Sequence, residues 1–290
     1  MRSRGTLLAV IGLSVIVLAV AGGMVTAYSW LSGRWSTPPP PVVPLCQATV
    51  GGTTASLEPD QARNAAIIAG VAASRDLVPR AVSIGLATAM QESALRNLDY
   101  GDLDSLGLFQ QRPSMGWGTV EQVMDPVYAA GKFFEVMVTV DDWQTADIGS
   151  VAQAVQRSGY PDAYDQHVPD ARTLASALSG ETPEAWSCIV PAGSAPDPDR
   201  LQQGLTTAYG NALQAVVTPA AGGKPAALTI TTASEAVAWS VAAYAQSWAS
   251  ETGVTAVTTG AYQWSPSPDT YAQWTTYEGQ ASPTTVIVMF

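Results

Sequence analysis

Apolar and polar positions divide the chain into stretches of different character. From Gly5 to Gly33 there is no charged residue, and 7–28 are almost wholly apolar. At about 1.5 Å of helical rise per residue, such a stretch can span a bilayer. The segment ahead of it, Met1-Arg2-Ser3-Arg4, is basic. That bias places the N-terminus in the cytoplasm and the remainder of the chain outside. A cleaved signal peptide ending near Val25-Thr26-Ala27 is the rival reading, but the apolar run is long for one. Residues 34–45 are rich in Pro and read as an extended spacer.

The next stretch, 46–57, alternates weakly around a Gly-Gly pair, which predicts a short strand or hairpin. From Glu58 to Gly180 the apolar positions recur at helical spacing. Asp60 is the expected N-cap of a helix over 60–76. Pro79 suits the first turn of a second helix over 79–95. Thr119 and Gln122 have capping-box spacing. Pro126 then opens a helix to Val138, and 148–157 and 169–179 predict two more, with Gly180 as a stop.

Residues 190–200 form a second linker, rich in Pro and Ala. Beyond it the pattern changes. A helix is expected over 198–217 and a strand over 227–231. Thr232 with Glu235 resembles a capping box opening a helix to Glu251. Strands are expected over 254–259 and 284–290, both rich in Val and Thr. The expected fold class is α+β. A mainly α domain over 46–189 precedes a small α/β domain over 201–290. Both follow a transmembrane helix over 1–33.

Composition narrows the chemistry. Hydrophobic residues make up 47% of the 290, charged residues 13%, and the net charge is −11. An acidic chain without a basic stripe is not expected to bind nucleic acid, since phosphate contact needs clustered Lys and Arg. The two cysteines, Cys46 and Cys188, are expected to form a disulfide outside the membrane, with two buried free thiols as the alternative. One His and two distant Cys do not supply the usual zinc ligand set, so no metal or other cofactor is expected. The single histidine, His167, has no nucleophile motif beside it and reads as an exposed or capping residue. Carboxylates are left as the natural workers.

Glu92 is the carboxylate of most interest. On a helix it shares a face with Gly85 and Ala89, with Thr88 at the edge. A carboxyl group at the end of so apolar a face is partly desolvated, retains its proton and can serve as a general acid. An exposed ion pair with Arg96 at i+4 is the alternative. Asp99, Asp102 and Asp104 follow in a Gly-rich loop. They read as turn residues, as second carboxylates or as oxygen ligands, though their spacing does not match the twelve-residue calcium loop.

Glu92-Ser93 at a helix end, followed by Gly107-Leu108-Phe109-Gln110, resembles the signature of the lysozyme-like lytic transglycosylases. In that family a Glu-Ser pair ends a buried helix, a Gly-Leu-Met-Gln turn lines the glycan groove, and an Ala-Tyr-Asn motif follows. Phe109 stands here at the Met position. Ala154-Val155-Gln156 stands where Ala-Tyr-Asn is expected, so the Tyr is missing at that place, with Tyr160 and Tyr164 nearby. The resemblance covers about 58–180. Longer stretches, among them LRNLDYGDLDSLGLFQQRPSMGWG, are similar to membrane-anchored actinobacterial proteins carrying such a domain.

In those proteins a C-terminal domain follows that resembles a degenerate zinc D-Ala-D-Ala peptidase. Residues 233–254 are similar to its central helix and following strand. Its His-x-His strand is absent here, where 285–290 read TVIVMF. The resemblance implies cleavage of peptidoglycan glycan strands at the outer face of the cytoplasmic membrane, with Glu92 as general acid and base. Ser93, Gln110 and Gln156 would then hold sugar amides and hydroxyls, and Trp117 or Tyr160 would stack on a sugar face. The alternatives are a non-catalytic glycan-binding protein and a scaffold working with other proteins of an envelope assembly.

Overall fold

In the computed structural model the described residues are 22–24, 26, 43–279 and 281–290, with Pro161 described for its backbone alone. The expected membrane anchor and the spacer up to residue 42 therefore lie outside the described residues, apart from 22–24 and 26. Among the described residues no helix is long and apolar enough to cross a membrane.

The architecture is α+β, with two sheets. The first is built where the sequence alternates weakly. Strands β1 (Cys46–Val50) and β2 (Thr53–Leu57) form a hairpin across Gly51 and Gly52. Both glycines have positive φ, which suits a tight turn. Strand β3 (Trp186–Cys188) pairs on the other side of β1 and sets Cys46 opposite Cys188. The two cysteines form the expected disulfide, closing a separation of 142 residues. Such a cross-link typically stabilises by about 2–4 kcal/mol.

Between these strands lie helices α1 (Pro59–Ala73), α2 (Pro79–Ser93), α3 (Val120–Val123), α4 (Pro126–Met137), α5 (Ile148–Gln156) and α6 (Val168–Leu178). A 3-10 segment, Pro161–His167, leads into α6. Helix α2 is buried from Ala81 to Ala89 and packs on α5 and α6. Gly85 lets Ile68 and Phe134 close against it. The N-cap of α1 is Glu58, not Asp60: the Glu58 N–H donates to Gln61 Oε1 at 2.9 Å. Asp60 lies inside the first turn, free to pair with Arg96. The Thr119–Gln122 capping box forms as expected but opens a single turn; Asp125 caps α4.

The second sheet belongs to the C-terminal part. It follows α7 (Pro198–Tyr209) and contains β4 (Leu213–Thr218), β5 (Ala227–Thr232), β6 (Ala256–Thr259), β7 (Tyr262–Trp264), β8 (Thr275–Thr276) and β9 (Thr285–Met289). The order is β4-β5-β9-β6-β7-β8, antiparallel throughout. The helix expected over 198–217 stops at Tyr209. Residues 213–218 pair instead with 232–227, where Val216 and Val217 suit a pleated strand. The helix expected to reach Glu251 is divided into α8 (Glu235–Ser247) and α9 (Ala249–Thr252). Ser234 caps it rather than Thr232, whose hydroxyl donates to the Ser234 and Thr284 carbonyls.

Residues 43–290 form one compact unit. Helix α8, buried along Ala238–Ser247, packs against α1 and under the large sheet. The Trp186 indole donates to Ser247 Oγ at 3.0 Å, and the Trp264 indole to Ser187 Oγ at 3.1 Å. Even the linker is held: Val190 N–H bonds to the Ser267 carbonyl and Asp197 N–H to that of Thr252, both at 2.9 Å.

Candidate active site

Helix α2 ends abruptly at Glu92-Ser93. Ala94 and Leu95 adopt left-handed backbone, with φ of 51° and 60°, and the Leu95 N–H folds back to the Ala89 carbonyl at 3.0 Å. The carbonyls freed by this turn are satisfied from α1. Gln61 donates to Ala94 O at 2.8 Å and Asn64 to Leu95 O at 2.7 Å. Arg96 is thereby carried away from Glu92. It pairs with Glu58 Oε2 at 2.8 Å and with Asp60. The alternative reading, an ion pair at i+4, is not formed, because the helix has ended before Arg96.

The turn 107–110 lies against this helix end. Ser93 is buried, and its hydroxyl donates to the Ala89 carbonyl at 3.1 Å and the Leu108 carbonyl at 2.7 Å. It ties the helix to the turn and does not line the groove, where the resemblance had placed it. Gly107 has a φ of 77°, and a Cβ there would overlap the Val123 carbonyl oxygen. Its N–H donates to Leu98 O at 2.7 Å. Phe109 is fully buried and stacks on Phe133, ring centroids 4.7 Å apart. Gln110 lines the groove, but its amide folds back onto the Gly107 and Tyr100 carbonyls at 3.2 and 3.3 Å.

The carboxylates of the loop part ways. Asp104 accepts from Arg112 Nε at 2.7 Å, from the Ser114 N–H at 2.8 Å and from the Ser114 hydroxyl at 2.9 Å. Arg112 first, and then Ser114, hold its carboxyl well below the usual range. It braces the loop and does not line the groove. Asp102 does line it.

Glu92 receives a different partner. Tyr164, fully buried on the 3-10 segment, donates its hydroxyl to Glu92 Oε1 at 2.6 Å. Gln156, at the end of α5, donates to the Phe109 carbonyl at 2.7 Å and stands close enough to the Glu92 carboxyl to favour its ionised form. Burial raises the pKa of Glu92 above the ordinary value, and Tyr164 and Gln156 oppose that rise without cancelling it. Burial, and then Glu92 itself, push the Tyr164 phenol far up, so it stays a donor.

A groove of about 910 Å³ opens over this carboxyl. Glu92, Gln110, Trp117, Gln156 and Tyr160 line it together, as do Asp102 and Arg157. Tyr160 is 79% exposed at its rim. Lys132 and Glu135 of α4, paired at 3.0 Å, form another part of the wall. Neither was singled out by the sequence pattern, which shows them only as the polar face of a helix. Tyr164 stands eight residues after Gln156. Its sequence signal was an aromatic residue following a Pro that starts a turn. No family model matches this chain, and no curated protein matches it. What the site can do follows from its geometry. It holds one partly desolvated carboxyl, fixed by a phenol with an amide beside it, facing an open groove of mixed polar and aromatic character.

His167, by contrast, sits away from the groove lining, with Nε2 3.1 Å from Gln91 Oε1. Burial lowers its pKa, opposed by Asp170.

Proposed function

We propose that the protein cleaves the glycan strands of peptidoglycan, as a lytic transglycosylase-like enzyme built on a lysozyme-like helical domain. The observation that carries this reading is the half-buried Glu92 carboxyl, oriented by Tyr164 and open to the groove. Burial raises its pKa, the direction that favours a general acid.

In this mechanism Glu92 donates its proton to the glycosidic oxygen between N-acetylmuramic acid and N-acetylglucosamine, and the C1–O bond breaks. The muramoyl 6-hydroxyl attacks the oxocarbenium-like C1, forming the C1–O6 bond. Glu92, now ionised, accepts the hydroxyl proton and returns to its starting state. No second protein carboxylate and no water are consumed, and the product is a 1,6-anhydro sugar. Tyr164 donates to the ionised form during the step and so holds the base in place. Gln156 and Gln110 line the groove with their amide nitrogens held by backbone carbonyls, leaving the amide oxygens for the strand, and Trp117 and Tyr160 offer ring faces. The disulfide fits an oxidising, extracytoplasmic compartment. The apolar stretch 5–33 would anchor the enzyme at the outer face of the cytoplasmic membrane.

A hydrolytic variant of this reading draws on Asp102 and Glu135, both carboxylates at the groove. If either activates water on the opposite face of the sugar, the enzyme is a muramidase. Digestion of purified peptidoglycan by the full-length chain separates the cases. Anhydromuropeptides that disappear in the Glu92→Gln variant support the transglycosylase; reducing ends support hydrolysis. Tight binding with no product from either protein would overturn the enzyme in favour of a glycan-binding scaffold.

A further inference from the structure

The Lys132–Glu135 pair lines a second pocket as well as the groove. This pocket, of about 250 Å³, has Ser74 and Arg75 at the end of α1, Tyr128 and Gly131 on α4, and Thr207 on α7. Through α7 the C-terminal part reaches a cavity that shares wall residues with the groove.

Most of the polar groups here are already used. Ser74 Oγ donates to the Val71 carbonyl and Thr207 Oγ1 to the Gln203 carbonyl, both at 2.8 Å. Lys132 Nζ bonds both Glu135 oxygens, at 3.0 and 3.1 Å. The Arg75 guanidinium is different: among the described residues it makes no hydrogen bond or ion pair. Its seat is shaped by a glycine. A Cβ at Gly131 would stand 2.6 Å from Arg75 Nη2, so the guanidinium lies directly on the backbone of α4.

The chain carries a net charge of −11, so an anionic substrate meets repulsion on average. An unpaired guanidinium beside the groove is a local exception. Its planar fork matches a carboxylate in two parallel hydrogen bonds.

We propose that this pocket is a subsite for the carboxylate of a peptide substituent carried by the glycan strand, with Arg75 pairing to that carboxylate. The subsite rests on the glycan-strand reading above. It gives the C-terminal part a role as one wall of the substrate surface. Arg75 also suits the negative end of the α1 dipole, and the test is chosen to separate the two roles.

Binding of the full-length chain is measured to peptide-bearing glycan strands and to the same strands stripped of peptide. The wild type is expected to bind the peptide-bearing strands about fivefold tighter, as for an exposed bidentate pair. Added salt shrinks that preference. Arg75→Gln removes it and leaves affinity for stripped strands unchanged. Gly131→Ala keeps the charge but displaces the guanidinium, and is expected to lose the preference too. Equal weakening on both strands, or no change on either, overturns the subsite. A wild type that binds both strands equally overturns the subsite alone; one that binds neither overturns it together with the glycan reading.

Discussion

The Tyr164 hydroxyl lies 2.6 Å from Glu92 Oε1, joining two residues 72 positions apart. Tyr164 has no exposed surface, while the carboxyl it meets opens on the groove. The phenol is thus a fixed donor and Glu92 the group that changes charge. A short bond from a buried donor orients the carboxyl and favours its ionised form, against a burial that favours the protonated one.

Replacing Tyr164 by Phe keeps the ring and removes the donor. Glycan cleavage is expected to fall about ten- to a hundredfold, the scale of a misplaced catalytic group. The Glu92 pKa rises further, so the alkaline limb of the pH–rate profile moves to higher pH. Loss of rate with an unmoved profile would show that Tyr164 is only part of the packing.

Glu92→Gln is expected to abolish cleavage and to stabilise the fold. The carboxyl has a higher pKa folded than unfolded, so folding takes up a proton between the two values. Its contribution to stability is fully present below the unfolded value and is lost as pH rises through the folded one. At neutral pH the variant should therefore be more stable than the wild type. The gap should close as pH falls through the ordinary carboxylate range. Urea titrations at pH 7 and pH 4 check this; a gap independent of pH would contradict the raised pKa.

Much of the helical part was legible because its boundaries are local. Pro79 and Pro126 open helices where their missing N–H is harmless, and Gly180 closes one with a positive φ. The failures have a common cause in tertiary structure. Residues 213–218 carry a pattern that either a helix or a strand can use, and pairing with 227–232 decides it. The end of α2 is held by side chains from α1, with no glycine to announce it. At the site, the apolar face made Glu92 only one candidate beside an exposed pair with Arg96, and the ordered Gly107–Gln110 motif, through the family resemblance, set it first. Tyr164 was marked only as lying near the missing Tyr, beside Tyr160; its bond to Glu92 depends on how a 3-10 segment folds back over α2 and α5.

The left-handed turn after Glu92 stores strain that a substitution can release. Ala94, with a φ of 51°, has a Cβ in a region where left-handed backbone costs about 1–2 kcal/mol. Ala94→Gly relieves this but adds entropy to the unfolded chain. A net stabilisation of about 0.5–1 kcal/mol is expected. Cleavage should fall if the strain helps fix Glu92. Denaturation and rate measured on the same preparation give both outcomes, and destabilisation would mean that Ala94 is not held in this conformation.

Gly107→Ala makes the opposite change on the facing turn. The residue needs a positive φ of 77°, and its Cβ would strike the Val123 carbonyl, which is backbone and cannot swing aside. The cost is expected to be about 2–3 kcal/mol or more, from strain and overlap together. Relief requires the turn to move away from α3, which drags Leu108 and so pulls on the Ser93 hydroxyl that bonds its carbonyl. Phe109 moves with it, and with Phe109 the carbonyl that holds Gln156. Two supports of Glu92 are disturbed at once, so cleavage should fall more than stability alone predicts. Assay at a temperature where the variant is still folded by circular dichroism isolates that effect. Full activity in the folded variant would show that the turn does not position the carboxyl.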